Sequence, residues 1–369
     1  MVKRMAVGTA VAALAAMALQ VQVSAQQQAQ GPQGAGAPAR RAVGGTTAGN
    51  DAYPTDEQWK NSKEAQALVA KAKAAAGNDA KLQSRFEKAC TVLGPQRPAV
   101  LRQNAGLPAE PQRQVDIVKL FDNFYYFGFN TVGAWALTTN QGIILIDSLN
   151  TVDEAEKIIE PALVKAGLKP ADVKYIIVGH GHFDHFGGAP YFQQKYGSKV
   201  VMSKLDWDMI ERPNPNARGP QANRPLPKRD VEVVSDNQKV TLGDETITLR
   251  ITPGHTPGTL AYYIPVKDHG KSMNILMLSG ANITPDRASL DAFKKALDYA
   301  KQQKVQALIN GHPGLFGDEV GWMEEIRSNP NGPNPFVLTV DEFGKFADIM
   351  KDCAEARLVA MDTKKTATN

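Results

Sequence analysis

The segment Val173-Lys174-Tyr175-Ile176-Ile177-Val178-Gly179-His180-Gly181-His182-Phe183-Asp184-His185 decides how this chain is read. Apart from Lys174, its first six residues are β-branched, aromatic or aliphatic and predict a strand. The strand runs directly into three histidines and one aspartate packed within six residues. Imidazole and carboxylate are suitable zinc ligands, and an irregular loop at a strand's end can turn several of them to one point. Gly181, Gly187 and Gly188 remove side chains where the backbone is expected to bend sharply.

Two later histidines repeat the arrangement. His255 lies in Thr252-Pro253-Gly254-His255-Thr256-Pro257-Gly258, and His312 lies in Asn310-Gly311-His312-Pro313-Gly314. Each follows a predicted strand and is framed by Gly and Pro, which fix a loop's shape. Five of the six histidines therefore stand at three strand ends, which a solvated His-rich loop does not explain. The sixth, His269, sits in the turn Lys267-Asp268-His269-Gly270-Lys271 and is assigned no role.

Around these loops, short β-branched runs alternate with helical stretches. Further strands are expected over 131–139, 142–146, 199–202, 231–234, 239–242, 246–251, 260–264, 274–278 and 305–309, with Gly243-Asp244 as a two-residue hairpin turn. Helices are expected over 151–166, 187–196, 204–211, 289–303 and 340–361. Strands dominate each half and helices cover them, which is the pattern of an α/β layered sandwich. No G-x-G-x-x-G follows the first strand, so a dinucleotide fold is disfavoured. The aromatic run Phe121 to Phe129 and Trp135 are expected mostly in the core.

The run His180-Gly181-His182-Phe183-Asp184-His185, followed by Gly254-His255-Thr256-Pro257-Gly258 and Gly311-His312-Pro313, resembles the metallo-β-lactamase superfamily. Order and spacing match from about Val115 to the C-terminus, some two-thirds of the chain. Within that superfamily the pattern is most similar to the third subclass of class B β-lactamases, which use histidines and aspartate without a cysteine ligand. The helix entry at Asn334-Pro335-Phe336 also resembles their ending. The resemblance implies an αββα sandwich with the metals at one edge of its two sheets. It implies a first zinc on His180, His182 and His255, a second on Asp184, His185 and His312, and a hydroxide shared between them as nucleophile. Asp184 would also orient that hydroxide, the one catalytic role assigned beyond ligation. Asp147, at the end of Ile143-Ile144-Leu145-Ile146, matches the superfamily's first motif and is expected to brace the ligand loop rather than bind metal.

The 369 residues carry a formal net charge of +4, with 43% hydrophobic and 22% charged residues. That charge is too ordinary to indicate a nucleic-acid carrier. Lys3 and Arg4, the apolar run Ala6 to Leu19 and Val23-Ser24-Ala25 read as a signal peptide over 1–25, implying a periplasmic or secreted protein with no membrane span after cleavage. Residues 26–50, rich in Gln, Gly, Ala and Pro, read as a linker. A helical extension is expected over 51–114 and the catalytic domain over 115–369. One helix of the extension starts at Thr55 with Gln58 completing a capping box and stops at Gly77; a second runs from about Asp79 to Leu93. The extension is either plain packing on the body or a lid or dimer contact. The two cysteines, Cys90 and Cys353, exclude a disulfide-dense scaffold; whether they pair with each other is left open.

Two stretches depart from the superfamily's pattern. Ala281 stands in Leu278-Ser279-Gly280-Ala281-Asn282-Ile283-Thr284-Pro285, where most two-metal hydrolases of the superfamily carry a bridging aspartate, which by that resemblance argues against the glyoxalase II and typical lactonase readings and agrees with lactamase-type sites; those of the third subclass usually carry serines here, and Asn282 and Thr284 are candidates for the polar replacement. Glu211 to Asp230 holds Arg212, Arg218, Arg224, Lys228 and Arg229, either as a solvated loop or as a lid for an anionic small-molecule substrate. Three functions are carried forward. The first is a zinc-dependent β-lactamase, the second a hydrolase of the same fold acting on another ester, lactone or amide. The third is a zinc-binding interaction protein with little catalysis.

Overall fold

Strand after strand in this chain is buried along nearly its whole length, and that burial sets the architecture. β3 (Gly133–Thr139), β5 (Val173–Ile177), β10 (Leu260–Asp268) and β12 (Ala307–Asn310) are apolar runs more than alternating ones, as expected of sheets covered on both faces. The computed structural model describes residues 53–95, 102, 105–108, 111–212, 224–280 and 286–362. The expected signal peptide and linker over 1–50 lie outside the described residues.

Twelve strands form two sheets. The larger, seven-stranded one has the sequential order β1 (Gln114–Phe121), β2 (Phe124–Phe129), β3, β4 (Gly142–Ile146), β5, β6 (Lys199–Ser203) and β7 (Val231–Val233). It is antiparallel from β1 to β4 and parallel from β4 to β7. The second sheet has the order β12, β11 (Lys271–Leu278), β10, β9 (Glu245–Ile251) and β8 (Gln238–Leu242), antiparallel except for the β11–β12 pair.

The two-residue period of each strand divides its side chains between two cores. Tyr262 points between the sheets, with Trp135, Tyr126, Ile146 and Met277, while its neighbours Ala261 and Tyr263 point outward. That outer face is covered by the helices Arg287–Gln302 and Val340–Asp362, through Leu290, Phe293, Phe343 and Phe346. Ile159, Leu163, Phe192 and Trp207 cover the outer face of the larger sheet. Four layers result, the expected αββα sandwich.

Several sequence expectations change. The helix expected from Thr55 to Gly77 is two, α1 (Asp56–Asn61) and α2 (Lys63–Ala76). Ser62 divides them: it has extended dihedrals, and its hydroxyl accepts from the Ala65 N–H at 3.2 Å as an N-cap. The Thr55–Gln58 capping box is present, and Gly77 closes α2 with φ 55°. The next helix, α3, is shorter than expected, Ala80–Ala89. The aromatic run Phe121 to Phe129 straddles the β1–β2 hairpin, and Phe121, Phe124, Tyr126 and Phe127 are buried. The helix Glu319–Ser328 follows an apolar loop and was not foreseen.

The helices of the extension lie on the C-terminal helix Val340–Asp362, so they thicken the outer layer of the smaller sheet. Cys90 and Cys353 form a disulfide, with Cα atoms 4.9 Å apart across 263 residues of sequence. Beside it, buried Arg357 donates from Nη1 to the carbonyls of Ala89 and Thr91 at 2.9 and 3.3 Å. Those groups sit at the C-terminal end of α3, where the carbonyls have no helical partner and favour a cation. Among the described residues no helix is long and apolar enough to cross a membrane.

The disulfide restricts the unfolded chain and fastens α3 to the last helix. Cys90→Ala or Cys353→Ala is expected to cost about 2–4 kcal/mol in denaturant unfolding. Unfolding of the unaltered protein with reductant should reproduce that loss, and no loss in either experiment would show that the bond does not form.

Candidate metal centre

Strand ends of both sheets meet at one edge of the sandwich. Asp147 follows β4, the His180–His185 loop follows β5, His255 follows β9, Ser279 follows β11 and His312 follows β12. The six residues expected as ligands are brought together there in two triads. His180, His182 and His255 form one; Asp184, His185 and His312 form the other; within each, the candidate ligand atoms lie within 4.8 Å of one another. The triads adjoin, with the rings of His180 and His185 only 4.0 Å apart between centroids.

Hydrogen bonding decides which nitrogens are available. His185 Nδ1 lies 2.6 Å from Asp147 Oδ2, and His312 Nδ1 lies 2.8 Å from the Thr131 carbonyl. Both partners are acceptors, so each Nδ1 carries the proton and each Nε2 keeps its lone pair. The two Nε2 atoms face each other at 3.2 Å, and Asp184 Oδ2 lies 3.5 Å from His312 Nε2 and 3.8 Å from His185 Nε2. A cation placed between them would be met by all three atoms. In the other triad His180 Nε2 and His182 Nδ1 are 3.1 Å apart. Ligands about 2.0–2.1 Å from a tetrahedral zinc stand about 3.3 Å from each other, so both spacings fit that ion. Burial, reinforced by neighbouring imidazoles, holds His180 and His255 well below the ordinary histidine range. They are therefore neutral, the form that binds metal.

Two buried carboxylates fix the loops from behind. Asp147, fully buried, accepts from the Gly179 N–H at 2.8 Å while holding His185. It braces the ligand loop and its carboxylate is committed to those two partners, as the sequence reading expected. Asp206, also fully buried, was missed. It accepts from the Gly181 N–H, the Gly258 N–H and the Thr256 hydroxyl at 2.8, 2.8 and 2.6 Å. One side chain thus ties the loop of His180 and His182 to the loop of His255. Burial raises its pKa, and these three hydrogen bonds oppose the rise. Ser279 was missed as well; its Oγ lies 3.2 Å from His180 Nδ1.

The glycines of the His loop act by closeness rather than by sharp bending. Gly187 has ordinary helical dihedrals, but a Cβ there would stand 2.0 Å from the Asn150 carbonyl oxygen. Gly258 is the counterpart at Asp206, where a Cβ would meet Ser203 Oγ at 1.8 Å.

The expected cationic lid divides. Arg229 is bound to Asp208, Glu211 and Glu232 at 2.5, 3.4 and 3.1 Å, so it belongs to a surface ion cluster. Arg224 instead lies over the Phe183 ring, 3.8 Å from its centroid, beside Asp184. Arg218, Ala281, Asn282 and Thr284 lie outside the described residues.

Asp206→Ala would strand two buried N–H groups and a hydroxyl, each costing about 1–3 kcal/mol when unpaired. The variant should be less stable in denaturant by about 2–4 kcal/mol and bind the ion of the three-histidine triad roughly tenfold more weakly. Zinc titration against a chelator measures the second effect, and unchanged affinity would refute the bracing role.

Comparison with known proteins agrees with this geometry. The sequence model of the metallo-β-lactamase superfamily matches residues 128–269. A probable metallo-hydrolase, YybB of Bacillus subtilis, is 25% identical over 196 residues, covering 50% of this chain and 82% of its own length. An N-acyl homoserine lactonase of Bacillus thuringiensis is 25% identical over 227 residues, 54% of this chain and 85% of that one. The crystal structure of BJP-1, a subclass B3 metallo-β-lactamase of Bradyrhizobium japonicum, superposes with a TM-score of 0.53 at 26% identity, covering 68% of this chain and 96% of that one. The sandwich, the two triads and these likenesses together show that the chain has the fold of the metallo-β-lactamase superfamily.

Proposed function

We propose that this chain is an exported two-zinc hydrolase that cleaves the acyl carbonyl of a small anionic ester, lactone or amide. The facing triads carry the proposal: six ligand atoms stand at one edge of the sandwich, with Asp184 19% exposed and His182 and His255 half-buried, so a substrate can reach them. A purely structural zinc site is closed by four protein ligands, whereas each triad supplies three. The Cys90–Cys353 disulfide supports an oxidising compartment.

Zinc ions bound there would lower the pKa of water to about 7 and polarise a carbonyl. The chain's own residues do the rest. Asp147 and the Thr131 carbonyl hold the imidazoles of His185 and His312 and fix their tautomers, while Asp206 ties together the loops that carry His180, His182 and His255. Asp184, whose Oδ2 faces the second triad, is placed to orient the attacking water and hold its proton. Phe183, 36% exposed between two ligand residues, offers an apolar wall. Arg224 is placed to meet a substrate carboxylate: it lies against Phe183, and its Nη1 is buried with no hydrogen-bond partner among the described residues.

The lactonase likeness supports an ester or lactone as substrate. A β-lactam is the second reading, favoured by the histidine–aspartate ligand set without cysteine and by the likeness to a B3 structure. The deciding assay sets the purified protein against an acyl homoserine lactone, an aryl ester, a penicillin and a carbapenem, each with and without chelator. Turnover of the lactone or ester that chelator abolishes and zinc restores is the expected result. Turnover confined to the β-lactams would establish the second reading, and no metal-dependent turnover would overturn both.

Asp184→Asn should lower kcat by at least about tenfold, far more than it changes KM. Arg224→Ala should raise KM for anionic substrates about tenfold while leaving kcat and neutral substrates unchanged, since one charge-assisted hydrogen bond is worth about 1.5–3 kcal/mol. A variant with full kcat in the first case, or unchanged KM in the second, would contradict the role assigned.

A further inference from the structure

The helices of the extension reach further than the disulfide. From α3, Lys88 extends to the loop that follows His312 and donates from Nζ to the carbonyls of Gly314 and Gly317 at 3.2 and 2.6 Å. The same loop is gripped from the other side by Glu319, 2% exposed, whose carboxylate accepts from the N–H groups of Gly314 and Phe316. The peptide units on either side of the Gly314 Cα are therefore clasped, one N–H by a buried acid and the next carbonyl by a lysine from a distant part of the sequence. Gly314 is two residues beyond His312.

The lysine is itself held firmly. One turn earlier, buried Arg85 places its guanidinium 5.2 Å from the Trp322 ring and 4.8 Å from the Phe346 ring. Just beyond it come the Arg357 contacts to Ala89 and Thr91 and the Cys90–Cys353 bond. Lys88 is thus the member of an anchored face that touches the metal-site loop. Burial pushes Glu319 up to about 7, with Lys88 and Arg85 opposing the rise, so the two clasping groups also sense each other's charge.

We propose that Lys88 is a positioning residue for the second metal site: by holding the Gly314 and Gly317 carbonyls, it fixes where the His312 loop presents its imidazole. The extension thereby becomes part of the active site's support. The chain's likeness to BJP-1 covers 96% of that chain but 68% of this one, so about a third of this chain has no counterpart there. The proposal rests on His312 being a ligand, as read above.

The test measures zinc binding by the full chain, stripped of metal and titrated in competition with a chromophoric chelator. The unaltered protein is expected to bind two ions. Lys88→Ala and the stem-preserving Lys88→Met should weaken the second ion about tenfold and leave the first unchanged, an effect of the size seen when groups supporting a ligand are removed. Lys88→Arg, which can still donate to two carbonyls, should recover most of the loss. Lys71→Ala breaks a 2.9 Å extension-to-helix ion pair with Asp352 away from this loop and should bind both ions normally. A merely structural lysine would lower the melting temperature yet leave second-ion affinity intact, and that result would overturn the proposal. Equal weakening of both ions, or the same effect from Lys71→Ala, would overturn it too. If the unaltered protein binds one ion only, the ligand reading of His312 fails, and the proposal with it.

Discussion

Everything at the sandwich edge depends on one electrostatic constraint: the ligand atoms of six side chains must be held facing one another at the ends of buried strands. His185 Nε2 and His312 Nε2 stand 3.2 Å apart with both Nδ1 protons already committed, to Asp147 and to the Thr131 carbonyl. Without support, such rings would rotate apart. Buried carboxylates prevent that by holding the loops through backbone N–H groups, the strongest fixed donors available. The cost is visible in the backbone. Asp147 and Leu149 take φ of 57° and 61°, a region non-glycine residues seldom occupy, and there Asp147 can reach both Gly179 and His185.

The rest of the fold makes that constraint bearable. A loop can hold a costly geometry only if its ends do not move, and here the ends are the termini of strands packed on both faces. β4 and β12 are buried almost throughout and β5 at Val173, Ile176 and Ile177, and their side chains divide between the inter-sheet core and a helical layer. Interiors packed at crystal-like density do not deform gradually. Ligand positions are therefore set by the sheets, and the loops supply only the final turn. The extension continues this outward: α3 is fixed to the C-terminal helix by a disulfide and a buried arginine, and through Lys88 it reaches the one ligand loop on the smaller sheet's edge strand.

Legibility in the sequence followed the range of the interaction. The three histidine loops were readable because residue type, Gly and Pro framing and strand ends coincide locally, and the Thr55–Gln58 box is a four-residue signal that formed as written. The hairpin at Gly243-Asp244 pairs Leu242 with Glu245 for the same reason. Asp206 was invisible because its three partners lie 25, 52 and 50 residues away, while in sequence it looks like any acid in a helix's first turn. The split at Ser62 shows a weaker limit, since a capping serine inside an alanine-rich run can end one helix and begin another. The helix Glu319–Ser328 was missed because its own apolar stripe is slight and Glu319, which opens it, is turned inward to the loop.

Charge at the site sorts the remaining polar residues by role. The first triad is three imidazoles; the second includes a carboxylate, and Asp147 lies close behind it. Two zinc ions bring four positive charges against those two carboxylates, so the occupied site would be positive and attract an anion. Cations of the stretch Glu211 to Asp230 are useful to such a site only where they are not already paired. Arg229 is engaged by three acids and contributes to shape rather than attraction. Arg224 has an aromatic face beneath it and, among the described residues, a buried donor with no acceptor, so its geometry suits recognition. On the proposed reading, specificity would depend less on the ligand set than on what stands around it: Arg224, Phe183 and the loops that hold them.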